Sequence, residues 1–175
     1  IKPANIMIER RIDGNFHPVV MDFGLARDTN ESSGMTESCT VMGTAAFMSP
    51  EQARGQVKKL DRRSDVYSLG ATLFDILAGR PPFITDSMAE TLLKVMFDDP
   101  PPLREFVPEA PEALEIIVGK SLNKEPEQRY ATAKELAEDL ERFLGNRGIA
   151  GKRLSLWYRL RYRAARNKPL VVLGA

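Results

Sequence analysis

The N-terminal segment of the chain shows the alternation of apolar and polar positions that is typical of a β-hairpin. An alternating segment, Ile6-Met7-Ile8, and an apolar segment, Val19-Val20-Met21, lie on either side of a polar stretch that contains Asp13-Gly14. Asp-Gly favours the tight turns that join antiparallel strands, because glycine adopts positive φ angles without a steric penalty. The pattern therefore predicts two short paired strands, with Asn5 before the first and Asp22 directly after the second.

Much of the remaining chain carries apolar residues at helical spacing. The clearest run is expected to be capped by Ser64-Asp65 and to end at Gly79, and its apolar positions are Val66, Leu69, Leu73, Ile76 and Leu77. A short helix before Gly55 and three further helices, at residues 87–97, 113–122 and 132–144, are also predicted. Thr132 opens the last of them with a Thr-x-x-Glu capping signal. We therefore predict an α+β fold, mainly α-helical, with a small β-hairpin at its N-terminus.

Composition supports a folded domain and limits the classes of function. The 175 residues are 43% hydrophobic and 28% charged, which is typical of a globular protein with a core. The net charge of +1 predicts no general attraction to nucleic acid. A single cysteine, Cys39, excludes an intramolecular disulfide framework and suits a reducing compartment.

Three polar motifs follow the predicted hairpin. Asp22-Phe23-Gly24 comes directly after the second strand, a hydroxyl-rich segment follows it, and Gly43-Thr44 precedes Ser49-Pro50-Glu51. The amide oxygen of Asn5 and the carboxylate of Asp22 are ligands of the kind that suit a hard cation such as Mg²⁺. The hairpin therefore predicts that Asn5 and Asp22 form a pair that holds a metal ion.

Together these motifs resemble the C-terminal lobe of a protein kinase, over roughly residues 1–145. Asp22-Phe23-Gly24 resembles the D-F-G motif, and Ser49-Pro50-Glu51 resembles the A-P-E motif with serine in place of alanine. Asn5 resembles the asparagine that closes the H-R-D-x-x-x-x-N catalytic loop, which puts the catalytic aspartate one position before Ile1. The family's Gly-rich loop, strand lysine and helix glutamate would lie further upstream. The 175 residues alone are therefore expected to be inactive.

The resemblance implies ATP and Mg²⁺ as cofactors and gives four residues a catalytic role. Asn5 and Asp22 would hold Mg²⁺, and Lys2 would contact the transferred phosphate, where a cation offsets developing negative charge. Thr44 resembles the threonine of Ser/Thr kinases that hydrogen-bonds the catalytic aspartate and lysine. Lys2 and Thr44 together indicate that serine or threonine hydroxyls are the acceptors. The chain as a whole resembles a bacterial-type Ser/Thr protein kinase, which transfers the γ-phosphoryl group of ATP to serine or threonine of protein substrates.

The alternative function is that of a pseudokinase or scaffold, a binding module with the kinase fold. Both metal positions, Asn5 and Asp22, favour the enzyme over the scaffold. The residue before Ile1 would distinguish the two, because aspartate there supports the enzyme and asparagine or glycine supports the scaffold.

Three further residues resemble structural positions of the family. The segment from Asp65 to Gly70 resembles D-x-W-S-x-G, with Tyr67 in place of tryptophan, and in the family its aspartate holds the backbone of the catalytic loop. Arg129 lies in a segment that resembles K-x-P-x-x-R and would pair with Glu51, which would tie the end of the activation segment to the lobe.

Candidate regulatory phosphorylation sites lie between the D-F-G-like motif and Gly43. Thr36 and Ser38 resemble the paired phosphorylation positions of bacterial kinases, and Thr40 is a third candidate. A phosphate there adds close to two negative charges and can order a loop against arginines. Arg27 is the one nearby arginine of the sequence.

The C-terminal segment differs in charge from the rest of the chain. Nine Lys or Arg residues and no Asp or Glu follow Glu141. Residues 146–168 interleave these cations with aromatic residues, which suits either nucleic acid or an anionic membrane surface. The apolar residues 169–175 favour the membrane, because cations next to an apolar run are typical of the cytoplasmic flank of a membrane helix. We therefore predict a basic juxtamembrane linker, the start of a transmembrane helix, a kinase domain on the cytoplasmic side of the plasma membrane, and no nucleic-acid partner.

Overall fold

The computed structural model describes residues 1–21 and 44–149, and its N-terminal part is the predicted hairpin. Strand β1 (Ile6–Arg10) pairs antiparallel with strand β2 (Phe16–Val20), in a register that sets Ile6 opposite Val20. Gly14 has a φ angle of 81°, as expected for the turn. The second strand begins three residues earlier than predicted, because Phe16 pairs with Arg10 across the turn.

Six helices make up most of the remaining described residues, joined by three short 3₁₀ turns. The helices are α1 (Pro50–Ala53), α2 (Arg62–Ala78), α3 (Met88–Phe97), α4 (Leu103–Phe106), α5 (Glu112–Ser121) and α6 (Ala133–Leu144). The turns are Pro3–Asn5, Val57–Lys59 and Pro126–Gln128. The predicted α+β class, mainly helical with one small hairpin, is confirmed.

Helix α2 begins two residues before the predicted cap. Asp61 caps it by accepting a hydrogen bond from the Arg63 amide at 2.8 Å, so the prediction that Ser64-Asp65 caps the helix is wrong. The Ser64 hydroxyl is used elsewhere, since it donates to the Glu51 carboxylate at 2.7 Å. Gly79 ends the helix in the left-handed conformation, at φ 70°, as predicted.

The core forms around α2, which packs against α4, α5 and α6. Two clusters of buried side chains lie along it: the first contains Tyr67, Ala71, Phe74, Leu103, Val118 and Leu122, and the second contains Val66, Ile117, Tyr130 and Leu136. Ile76 was predicted to face the core but is 64% exposed. Because α2 is covered on several sides, the spacing of its apolar residues does not define one buried face.

Gly70 allows α2 and α5 to approach closely. A Cβ atom at Gly70 would lie 2.5 Å from the Ser121 Cβ, which is closer than side chains pack. This contact explains why α2 carries glycine in its interior, although glycine is a poor helix former.

Within the described residues, no helix is both long and apolar enough to cross a membrane. Most of the predicted basic linker (146–168) and all of the predicted start of a transmembrane helix (169–175) lie outside the described part of the chain, which ends at residue 149. The same holds for Asp22 and for the candidate phosphorylation sites Thr36, Ser38 and Thr40.

Candidate functional site

Lys2 and Thr44 meet at the N-terminal side of the molecule. The Lys2 ammonium donates a hydrogen bond to the Thr44 hydroxyl at 2.8 Å, across 42 positions of the sequence. Both residues are partly buried. Lys2 precedes the Pro3–Asn5 turn, whose geometry is fixed by a hydrogen bond from the Asn5 amide to the Lys2 carbonyl at 2.9 Å. The backbone therefore ties the position of this lysine to that of Asn5.

Asn5 is connected in turn to the end of the hairpin. Its carbonyl accepts a hydrogen bond from the Met21 amide at 2.8 Å, which extends the pairing of β1 and β2 by one step. Met21 directly precedes Asp22 in the sequence. The structure thus brings together Lys2, Thr44 and Asn5 among the four predicted catalytic residues, and the fourth, Asp22, lies just past the last described residue of the hairpin.

A second polar group, the Glu51–Arg129 pair, is buried beneath α1. The two guanidinium Nη atoms of Arg129 donate to the two carboxylate oxygens of Glu51 at 2.8 and 2.9 Å, and both side chains are at most 4% exposed. The remaining hydrogen bonds of Arg129 go to the carbonyls of Arg63, Asn123 and Lys124. Every N–H of the guanidinium is therefore satisfied. The pairing predicted from the sequence is present.

The protonation of Glu51 depends on these contacts. Burial alone would raise the pKa of this carboxyl, but the hydrogen bonds from Arg129 and Ser64 outweigh burial and lower the pKa to about 2. The pair thus remains charged over the whole range of pH in which proteins usually fold. Through its hydrogen bonds the pair connects the start of α1 with α2 and with the segment before α6.

The match to known proteins covers most of the chain. The sequence model of the protein kinase domain matches residues 1–140. The chain belongs to the protein kinase family. It is 48% identical over 146 residues to the serine/threonine-protein kinase PknB of Mycolicibacterium smegmatis, a match that covers 81% of this chain and 22% of that protein. The PknB proteins of Mycobacterium leprae and Mycobacterium tuberculosis are 45% and 43% identical, each over 81% of this chain and 22% of their own length.

The chain therefore spans about a fifth of the length of the curated kinases that it matches. Membership of the family confirms the predicted resemblance to bacterial Ser/Thr kinases. It also implies that ATP and a divalent metal ion are the cofactors of the protein kinase domain.

Two serines of α2 form hydrogen bonds to α1 and to the residues just before it, and sequence reasoning missed both contacts. Ser64 donates to Glu51, and Ser68 donates to the Phe47 carbonyl at 2.8 Å. They lie four residues apart and thus on one face of α2. Their spacing of four residues is the one sequence signal that could have indicated that they contact neighbouring groups.

Tyr67, the tyrosine at the kinase tryptophan position, packs against the Arg129 guanidinium, which lies 5.0 Å from the centre of its ring. The side chain is fully buried, and burial raises the pKa of its hydroxyl well above the usual value. Among the described residues this hydroxyl has no hydrogen-bond partner. The ring, not the hydroxyl, is therefore what Tyr67 contributes to the packing of the Glu51–Arg129 pair.

Asp65 lies in the first turn of α2 and is exposed. Within the described part of the chain no hydrogen bond or ion pair to its side chain is found. Its predicted role, to hold the backbone of the kinase catalytic loop, stays a prediction.

Proposed function

We propose that this chain is the C-terminal lobe of a Ser/Thr protein kinase, which transfers the γ-phosphoryl group of ATP to serine or threonine residues of protein substrates. The observation that carries the proposal is the hydrogen bond between Lys2 and Thr44. A lysine and a threonine far apart in sequence meet beside Asn5, the residue that resembles a metal ligand of the family. The similarity to proteins named serine/threonine-protein kinase supports the same activity.

The donors at the end of the hairpin fit a magnesium ion. Asn5 is partly buried, and two backbone hydrogen bonds, to Lys2 and to Met21, fix its position. Asp22 directly follows Met21 in the sequence. One amide oxygen and one carboxylate suit Mg²⁺, which takes few protein ligands and completes its octahedron with water and substrate phosphates. The ion would neutralise charge on the phosphates of ATP, and Asn5 and Asp22 would hold it.

Lys2 and Thr44 would supply position and charge. The Lys2 ammonium would stabilise the negative charge of the phosphoryl group during transfer, and Thr44 would keep the lysine aimed at that group. The Thr44 hydroxyl would also help to orient the accepting hydroxyl of the substrate. Since phosphoryl transfer depends mainly on positioning, a small displacement of Lys2 is expected to lower the rate strongly.

A pair of substitutions at Thr44 tests this function in the full-length protein. Thr44→Val keeps the shape of the side chain but removes the hydroxyl, so we expect phosphoryl transfer to fall at least about tenfold. Thr44→Ser keeps the hydroxyl and should retain most of the activity. The measurement is transfer of labelled phosphate from ATP to a protein substrate, with phosphoserine and phosphothreonine identified by mass spectrometry. If the protein is a pseudokinase, the unsubstituted full-length protein will show no phosphoryl transfer at all.

We further propose that phosphate on Thr36 or Ser38, with Thr40 as a third site, activates the protein. The support is their position in the sequence, shortly before Gly43-Thr44. Because phosphate adds charge that arginine can pair with, phosphorylation is expected to order the segment. Mass spectrometry of the active full-length protein should find phosphate on one of the three. A fully active protein with no phosphate between Gly24 and Gly43 would contradict the proposal.

For the C-terminal segment we propose attachment of a cytoplasmic kinase domain to the plasma membrane. A peptide of residues 146–168 carries eight basic residues and no acidic one, and each cation near an anionic leaflet contributes about 1 kcal/mol. The peptide should bind anionic vesicles well and neutral vesicles weakly, and high salt should release it. Equal binding to both kinds of vesicle would contradict the electrostatic mechanism. A peptide that binds single-stranded nucleic acid more tightly than vesicles would favour the nucleic-acid alternative.

A further inference from the structure

A cleft next to the Glu51–Arg129 pair is lined by several cations. It has a volume of about 410 Å³. Its basic lining residues are Arg54, Lys58, Lys59, Arg63 and Lys124, and its acidic lining residues are Glu51, Asp61, Glu125 and Glu127. Arg63 is occupied by surface ion pairs with Asp61 at 2.8 Å and Glu127 at 3.4 Å. Lys58 and Lys59 are exposed at the end of a 3₁₀ turn. Lys124 differs from these residues, because its side chain is partly buried and held in a fixed position.

The ammonium of Lys124 lies against the end of helix α3. It donates a hydrogen bond to the Val95 carbonyl at 2.6 Å and a longer one to the Lys94 carbonyl at 3.3 Å. The Phe83 ring lies 4.2 Å from the nitrogen. The two carbonyls at this helix end favour the ammonium form. Both hydrogen bonds can nevertheless remain when Lys124 loses a proton, because a neutral amine keeps two N–H groups beside its lone pair.

Partial burial of Lys124 without an ion-pair partner in the described part of the chain favours that loss. Among the described residues, no carboxylate forms an ion pair with it. Burial is the main cause that lowers the pKa of Lys124 to about 7; the cations Arg54 and Arg129 add to this effect, and Asp98 opposes it. The Phe83 ring favours the ammonium form but does not restore the usual value. At neutral pH a large fraction of Lys124 is therefore a free amine at the edge of an open cleft.

We propose that Lys124 is a nucleophilic lysine, and that small acyl donors which enter the cleft, such as acyl phosphates and thioesters, acylate its side-chain nitrogen. The lone pair of the amine attacks the carbonyl carbon of the donor and forms a C–N bond. The C–O bond of the acyl phosphate, or the C–S bond of the thioester, breaks, and phosphate or thiolate leaves with the electron pair. The amine proton goes to solvent. This inference does not depend on the proposed kinase activity.

Acylation would change how α3 is held. The amide that forms has one N–H group and no charge, so one of the two α3 carbonyls loses its partner. The other cation at this helix end, Arg54, donates to the Met96 carbonyl at 2.6 Å and would remain. Because the Lys124 carbonyl itself accepts a bond from Arg129, a modification here acts on the connection between α3 and the Glu51–Arg129 pair.

The probe for the experiment is acetyl phosphate, applied to the full-length protein between pH 6 and pH 10. Peptide mass spectrometry gives the initial acetylation rates of Lys124 and of Lys58 and Lys59, which line the same cleft and serve as internal controls. At pH 7.5 we expect Lys124 to be acetylated about tenfold faster than Lys58 and Lys59. Its larger fraction of free amine outweighs the lower intrinsic nucleophilicity of that amine. Its rate should level off above about pH 8, whereas the rates of the two controls keep rising.

Two further measurements connect this reactivity to the folded site. Urea that unfolds the protein should make the three rates equal. The exposed variant Asp98→Asn removes the carboxylate that stabilises the ammonium, so the midpoint of the Lys124 profile should move to lower pH. The proposal is overturned if folded Lys124 reacts no faster than Lys58 and Lys59, or if its rate rises in parallel with theirs up to pH 10.

Discussion

Replacing Asp22 with asparagine in the full-length protein should lower phosphoryl transfer at least about 100-fold and leave the fold intact. The carboxylate is the one charged ligand in the proposed metal pair, and its partner Asn5 is neutral. An amide in its place keeps the volume but binds Mg²⁺ weakly, because a hard dication prefers charged oxygen. The measurement is the rate of phosphate transfer from ATP at the Mg²⁺ concentration that just saturates the parent protein, together with the unfolding midpoint.

A matched control separates the metal from the general effect of lost charge. Asp86 is exposed and takes no part in the contacts described above, so Asp86→Asn makes the same chemical change away from the hairpin. It should keep the activity of the parent protein. Activity of the Asp22 variant within tenfold of the parent, with the fold retained, would remove Asp22 from the proposed site. Higher Mg²⁺ concentrations should partly restore activity only in the Asp22 variant.

The elements that sequence reasoning predicted best are those fixed by local rules. The hairpin followed from alternation and from Asp13-Gly14, and Gly79 and Thr132 set helix ends through their own backbone or side-chain chemistry. The start of α2 was predicted wrongly because a contact distant in sequence, and not a local rule, decides what Ser64 does. Ser64 is a good capping residue, but a partner 13 residues earlier, Glu51, uses its hydroxyl. Such a contact is invisible in local sequence.

Helix α4 was missed for a different reason. It is a single turn between prolines, too short to show a helical period, and Leu103 is buried because α2 and α5 cover it. In the candidate site, the contacts of Lys2 with Thr44 and of Arg129 with Glu51 could be predicted only through the resemblance to protein kinases. Spacing alone contains no information about a contact across 42 or 78 positions. The Ser68 bond and the three carbonyls around Arg129 needed the structure.

The Glu51–Arg129 pair is expected to dominate the stability of the lobe. In Arg129→Met the Glu51 carboxylate remains buried without its cation, and three backbone carbonyls lose their donor. Removal of one partner from a buried pair typically costs about 3–5 kcal/mol. Urea unfolding of the full-length protein, followed by circular dichroism, should show a loss of this size. Arg63→Met is the control, because the ion pairs of Arg63 are partly exposed, and this variant should unfold close to the urea concentration that unfolds the parent.

The pH dependence gives an independent test of the same pair. The folded-state pKa of Glu51, about 2, lies below its ordinary value of 4.5, so its contribution to stability is present above pH 4.5 and is lost as the pH falls toward 2. In Arg129→Met the main cause of the low pKa is gone, and burial then raises the pKa instead. The stability difference between the parent and the variant should therefore shrink as the pH falls from 4.5 toward 2, because the parent loses the contribution of its charged pair while the stranded carboxylate of the variant is already protonated. A constant difference between the two proteins over that range would mean that Arg129 acts through its backbone hydrogen bonds and not through the charge of Glu51.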